Sequence, residues 1–154
     1  MPSVYLAGFD VFYPDALARG EYLKGLCAAH GLEGLYPLDA ALPAGLSDPA
    51  GWICQANLDS LRRADAVLAN LGHFRGNEPD SGTVFEVGFA CALGKPVWAY
   101  FPDQQPMIEQ LSRDAQGLCP DGFVVENFGL PRNLMLACSC VGASTTAPQA
   151  IAEL

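Results

Sequence analysis

Residues 65–71 read DAVLANL. A continuous apolar run of this length suits an interior strand of a parallel sheet, covered by other elements on both faces. A polar, glycine-containing stretch follows from His73 to Gly82. Thr83 to Leu93 (TVFEVGFACAL) then has helical composition and stops at Gly94, and Lys95 to Phe101 (KPVWAYF) reads as another strand. Strand, helix, strand within some 35 residues is a parallel crossover unit, so both faces of its sheet must be covered by helices.

The flanking sequence extends this rhythm. Val4 to Leu6 begins a β-rich run ending in Ala7, Gly8 and Phe9; after a loop with Pro14 and Asp15, Ala16 to Ala29 is helical and closed by Gly31. Leu35 to Leu38 is a short second strand, and Trp52 to Arg63 a second helix reached through a turn-rich loop. Toward the carboxyl end the expectations are a helix over Met107 to Ala115, a short edge strand at Phe123 to Val125, the start of a last helix at Asn133 to Cys138, and a loose connection from Gly142 to Pro148. Sheets of this kind bind ligands beyond the carboxyl ends of their strands, where strand order reverses. Gly8, Phe9 and Asp10 after the first strand, and Asn70 through Glu86 after the third, therefore line the expected crevice.

Residues 1–154 are read as a single domain, a length at which folding buries roughly 70% of the unfolded surface. Apolar residues make up 51% of the chain and charged ones only 16%, which suggests that some surface is covered by partner subunits. The net charge is −9, and the eight basic residues are spread without a run, so polymeric nucleic acid is repelled. Six cysteines form no CxxC pair, and the only histidines are His30 and His73; no metal is expected, and a reduced cytoplasmic setting fits better than a disulfide framework. A basic leader is lacking, and no stretch approaches the ~20 apolar residues of a membrane span.

Glu86 stands among Val84, Phe85, Val87, Gly88 and Phe89. A desolvated carboxylate there calls either for a hydrogen-bond partner or for a function. The structural alternative is a capping box in which Thr83 caps the helix and Glu86 reaches back to its backbone N–H. Asp80, six residues earlier, can project into the same crevice and divide labour with Glu86, one acid ionised and the other holding a proton. An ordinary turn residue is the plainer reading of Asp80 in PDSG.

FRGNEPDSGTVFEVGFACALGKPVWAY, preceded by RRADAVLANL, resembles the central signature of the nucleoside 2-deoxyribosyltransferase family. VYLAGFDVFYPDA at the amino end, YPLD at 36–39 and NLM at 133–135 resemble that family in the same order. The resemblance implies an α/β fold with a doubly wound, five-stranded parallel sheet (flavodoxin-like order 2-1-3-4-5) in three layers. It also implies a homo-oligomer with no cofactor or metal, acting on 2'-deoxynucleosides and free nucleobases. By the same resemblance Glu86 matches the nucleophile, Asp80 the acid that exchanges a proton with the base, and Tyr5 the residue that orients the nucleophile. Asn57 falls where the family touches the base; Asn133, with Met135 beside it, matches the residue lent by a neighbouring subunit to the sugar's 5'-hydroxyl. Gly8 and Phe9 lie on the substrate side, and Phe9 or Phe12 could stack on the base. Where the family carries a base-facing Gln after the YPLD loop, this chain has Ala40 and Ala41.

Two other functions fit the same sheet. One is hydrolysis of 2'-deoxynucleoside 5'-monophosphates, which needs a phosphate pocket with basic support; the acid at Asp10 opposes it, and DSGT remains a candidate anion nest. The other is a noncatalytic nucleoside or nucleotide sensor, which has little use for the pair Asp80 and Glu86.

Overall fold

Strand parity sorts the apolar residues onto two faces of one sheet. The protein, described over residues 1–154 in a computed structural model, builds a five-stranded, all-parallel sheet of order β2-β1-β3-β4-β5. β1 (Ser3–Ala7), β3 (Ala66–Asn70) and β4 (Val97–Tyr100) are its centre, with β2 (Glu33–Leu35) and β5 (Gly142–Ser144) at the edges. Tyr5, Ala7, Val67, Ala69, Val97 and Ala99 point to one face, where Leu61, Val87, Ala90 and Leu136 complete a core. Those four come from α2 (Pro49–Arg63), α3 (Ser81–Ala92) and α5 (Leu134–Ala137). Val4, Leu6 and Leu68 point the other way and meet Leu23 and Cys27 of α1 (Ala16–Ala29) and Ala150 and Ile151 of α6 (Ala147–Ile151). The result is the three-layer, doubly wound fold in the expected strand order, and no helix is long and apolar enough to cross a membrane.

Four elements differ from the sequence expectations. β2 lies at Glu33–Leu35 rather than Leu35 to Leu38, because Asp39 Oδ2 accepts the Tyr36 N–H at 2.8 Å and turns the chain there. The helix from Met107 stops at Gln110 (α4) instead of Ala115: Leu111 is extended, and Asp114 Oδ1 accepts from the N–H groups of Gln116 and Leu118. Phe123 to Val125 is no sheet strand; Val124 makes an isolated antiparallel bridge with Leu118, and Phe123 is exposed. Gly142 to Pro148 is not a loose connection, since it supplies β5 and the start of α6. The helix at Asn133 is accordingly not the last one.

Candidate active site

β1, β3 and α3 converge at the carboxyl edge of the sheet. The parity that buries Tyr5 turns its ring toward α3, and the helical period places Glu86 on the same inward side as Thr83, Val87 and Ala90. The Tyr5 hydroxyl donates to Glu86 Oε1 at 2.6 Å. This is a short, charge-assisted contact across 81 residues of sequence. Burial pushes the Glu86 carboxyl up from 4.5 to about 7; the Tyr5 hydrogen bond opposes that rise, and the charge of Asp80 adds to it. Burial, together with the neighbouring carboxylate, drives the Tyr5 hydroxyl far above its usual range, so it remains a donor.

Glu86 does not close a capping box. The N-cap of α3 is Asp80, whose Oδ2 accepts both the Thr83 N–H and the Thr83 hydroxyl at 2.9 Å. Its position therefore has the structural role expected of an Asx residue, and Oδ1 has no protein partner among these bonds. One helix thus carries both acids, and neither is spent on a cation: the five ion pairs of the chain involve other residues.

Gly8 ends β1 against the backbone of β3, where an added Cβ would lie 2.8 Å from Asn70 Cβ and 3.0 Å from Asp10 Oδ2. Only glycine tolerates that approach. Beyond it, a short 3-10 helix (Phe9–Phe12) is anchored by the buried Asp10, which accepts from Asn70 Nδ2 at 2.8 Å, from the Tyr100 hydroxyl at 3.3 Å and from Arg19 at 3.3 Å. Asn70 Oδ1 in turn accepts from the Gly72 N–H at 3.2 Å and so sets the start of the following loop. That loop brings Phe74 between Phe9 and Phe12, with ring centroids 5.3 and 5.2 Å apart and planes tilted by 23°. Arg75 lies over the Phe12 and Phe74 rings. A groove of about 280 Å³ runs among Phe9, Phe12, Tyr13, His73, Phe74 and Arg75. Phe74 and Arg75 were not singled out from the sequence, although both lie in the segment expected to line the crevice.

The remaining candidates lie elsewhere on the single chain. Asn57 lines a separate cavity of about 450 Å³ with Tyr36, Asp39 and Ser60. Asn133 caps α5, its Oδ1 accepting from the Met135 N–H at 3.0 Å and its Nδ2 donating to Glu126 at 2.5 Å. Met135 is 69% exposed. The largest cavity, about 640 Å³, is bounded by residues 76–78 and 107–126 and by Asn133. None of the five principal cavities is lined by Glu86, Tyr5 or Asp80.

A desolvated carboxylate steadied by a tyrosine, at the crevice edge of a doubly wound sheet, is the arrangement expected of an active site for a bound small molecule. A family model described as nucleoside 2-deoxyribosyltransferase matches residues 4–135. The chain belongs to the nucleoside 2-deoxyribosyltransferase family. A solved 2-deoxyribosyltransferase from Leishmania mexicana is 40% identical, with a TM-score of 0.75 over 88% of this chain and 85% of that one. A CMP N-glycosidase from Clostridium botulinum shares the fold at 15% identity and a TM-score of 0.53, covering 98% of this chain and 96% of its own. An uncharacterized protein of Schizosaccharomyces pombe is 32% identical over 108 residues, which are 67% of this chain and 51% of that protein. The chain thus spans about half the length of the curated relative it matches.

Proposed function

We propose that this protein transfers 2-deoxyribose between nucleobases through a covalent deoxyribosyl ester on Glu86, with hydrolysis of 2'-deoxynucleosides as a minor outcome. The observation that carries the reading is the 2.6 Å bond from the Tyr5 hydroxyl to a Glu86 carboxylate whose pKa burial raises to about 7. Family membership and the 40% identity to the Leishmania enzyme support the substrate class.

In the first half-reaction Tyr5 holds Oε1 while Oε2 attacks C1' of the nucleoside. The C1'–N bond breaks, its electron pair leaves with the base, and Asp80 delivers a proton to the base nitrogen. A second base then attacks C1' from the vacated side, breaking the ester and returning its proton to Asp80. Two displacements retain the configuration, as in a retaining glycosidase, with a nucleobase in place of water. A 2-deoxy sugar lacks the hydroxyl that would withdraw electrons from the oxocarbenium-like transition state, so one carboxylate and one acid are enough. The stacked rings of Phe9, Phe12 and Phe74 offer the base a flat apolar wall. Asn133 and the exposed Met135 reach a neighbouring subunit's sugar.

Mixing Glu86→Ala protein with deoxyinosine and adenine should yield no deoxyadenosine, and unchanged exchange would overturn the assignment. Wild-type protein held with a deoxynucleoside and no acceptor should gain the mass of one deoxyribosyl group on Glu86. Active protein that never forms this adduct would point to direct displacement instead.

A further inference from the structure

No cation of the chain pairs with Glu126, which takes part in none of the five ion pairs. Its carboxylate instead spans two donors at the start of α5: Oε1 accepts from Asn133 Nδ2 at 2.5 Å, and Oε2 from the Leu134 N–H at 3.0 Å. The segment carrying it is fixed by the buried Val125, whose N–H donates to the Gly117 carbonyl at 3.2 Å. Arg132, the nearest basic residue in sequence, is buried and turned elsewhere. Its Nε donates to the Leu71 carbonyl at 2.7 Å, Nη1 donates to Gln110 Oε1 at 3.0 Å and to the Pro131 carbonyl at 2.6 Å, and the guanidinium lies 4.1 Å from the Phe101 ring centroid.

The Glu126 contact settles the sense of the Asn133 amide. Oδ1 accepts from the Met135 N–H at 3.0 Å, and a carboxylate, which only accepts, demands the amino group at the other end. Turning the amide over would set two donors together at Met135 and two acceptors together at Glu126. With both bonds made, Asn133 keeps one N–H and one lone pair of Oδ1 for a ligand. A hydroxyl, both donor and acceptor, matches that remainder. A phosphate dianion only accepts, and it meets the charge of Glu126 behind the amide. Glu126 and Asn133 share the wall of the 640 Å³ cavity with Glu78 and Asp121, and no Lys, Arg or His lines it.

We infer that Glu126 is a positioning and specificity-determining residue, which orients the Asn133 amide toward the 5'-hydroxyl of the sugar and turns away the corresponding 5'-phosphate. The inference rests on the reading in which Asn133 serves a neighbouring subunit's sugar. It goes further by assigning the choice between nucleoside and 5'-monophosphate to one carboxylate, which acts through Asn133 and through its charge without touching the reacting atoms.

Base exchange onto adenine from deoxyinosine, 2',5'-dideoxyinosine and deoxyinosine 5'-monophosphate, compared by kcat/KM, tests the assignment. Wild type should favour deoxyinosine over the 5'-deoxy donor by about tenfold, and over the monophosphate by more. Glu126→Gln should shrink the first preference to about threefold or less and raise the relative use of the monophosphate by about tenfold. Glu126→Asp keeps the charge on a side chain too short to span both donors. It should lose the first preference and still reject the monophosphate, so each variant is informative where the other fails to fold. A purely structural Glu126 would lower all three donors in proportion, and ratios unchanged from wild type in a folded variant overturn the proposal. Asn133→Ala separates the two readings. If it loses the 5'-hydroxyl preference while the Glu126 variants keep theirs, the Glu126 assignment alone falls; a preference undiminished in Asn133→Ala protein removes Asn133 from the sugar and this assignment with it.

Discussion

Replacing Glu86 with Gln removes a charge while keeping an oxygen at Oε1 to accept from Tyr5, so the substitution isolates the cost of ionising this carboxyl in the folded protein. That cost follows from the pKa. A rise from 4.5 to about 7, at about 1.4 kcal/mol per pH unit, corresponds to about 3 kcal/mol. Below pH 4.5 the group is neutral in folded and unfolded chains alike, and it contributes nothing to the difference. Between 4.5 and about 7 the folded chain keeps a proton that the unfolded chain has lost, so stability falls as pH rises and the full cost is present above about 7. Glu86→Gln protein should therefore match wild type near pH 4 and exceed it by up to about 3 kcal/mol at pH 8.5. Urea unfolding at several pH values, read by Trp52 and Trp98 fluorescence at one fixed protein concentration, measures the gap. A gap that does not widen with pH, or a Gln variant less stable than wild type at pH 8.5, would refute the account of a desolvated carboxylate.

Tyr5→Phe removes the bond that holds the Glu86 pKa down. The acid limb of kcat/KM should move up by about one pH unit, and a pH–rate profile that stays in place would count against the pairing. Asp80 caps α3 in the structure, and the proposed reaction gives it a second, separable duty. Asp80→Ala should lose the cap and about 1 kcal/mol of stability, whereas Asp80→Asn should keep the cap and still lower kcat for base exchange by about a hundredfold; equal kcat in Asn and wild-type proteins would remove Asp80 from the chemistry. Phe74→Ala takes out the middle ring of the stack and should raise KM for deoxynucleosides about tenfold with little change in kcat, which steady-state kinetics with deoxyinosine would test.

What could be read from the sequence follows how locally each feature is encoded. β3, α3 and β4 announce themselves through long apolar runs, and those same runs make Glu86 conspicuous. β5 has no such signal, because Gly142, Ala143 and Ser144 are small. Its place is fixed from β4, where the Trp98 ring occupies the space a Cβ on Gly142 would need and Trp98 Nε1 donates to Ser144 Oγ at 2.9 Å. The reverse holds at Phe123 and Val124, which have strand-forming side chains but no strand of the sheet beside them. At the start of α3 both Asp80 and Thr83 satisfy the local rules for a cap. Asp80 takes the position by binding Thr83 twice, and this releases Glu86 to meet Tyr5 from a strand 81 residues away. The buried setting of Arg132 depends on Leu71, Gln110 and Phe101, none of them a neighbour in sequence.

Carrying both acids on α3 means that a tilt or slide of this helix moves them together. Their spacing is then set by helical rise and a cap rather than by the shape of any loop. The surrounding loops, with their aromatic rings, are free to drift while the distance between the Glu86 and Asp80 carboxylates stays the same.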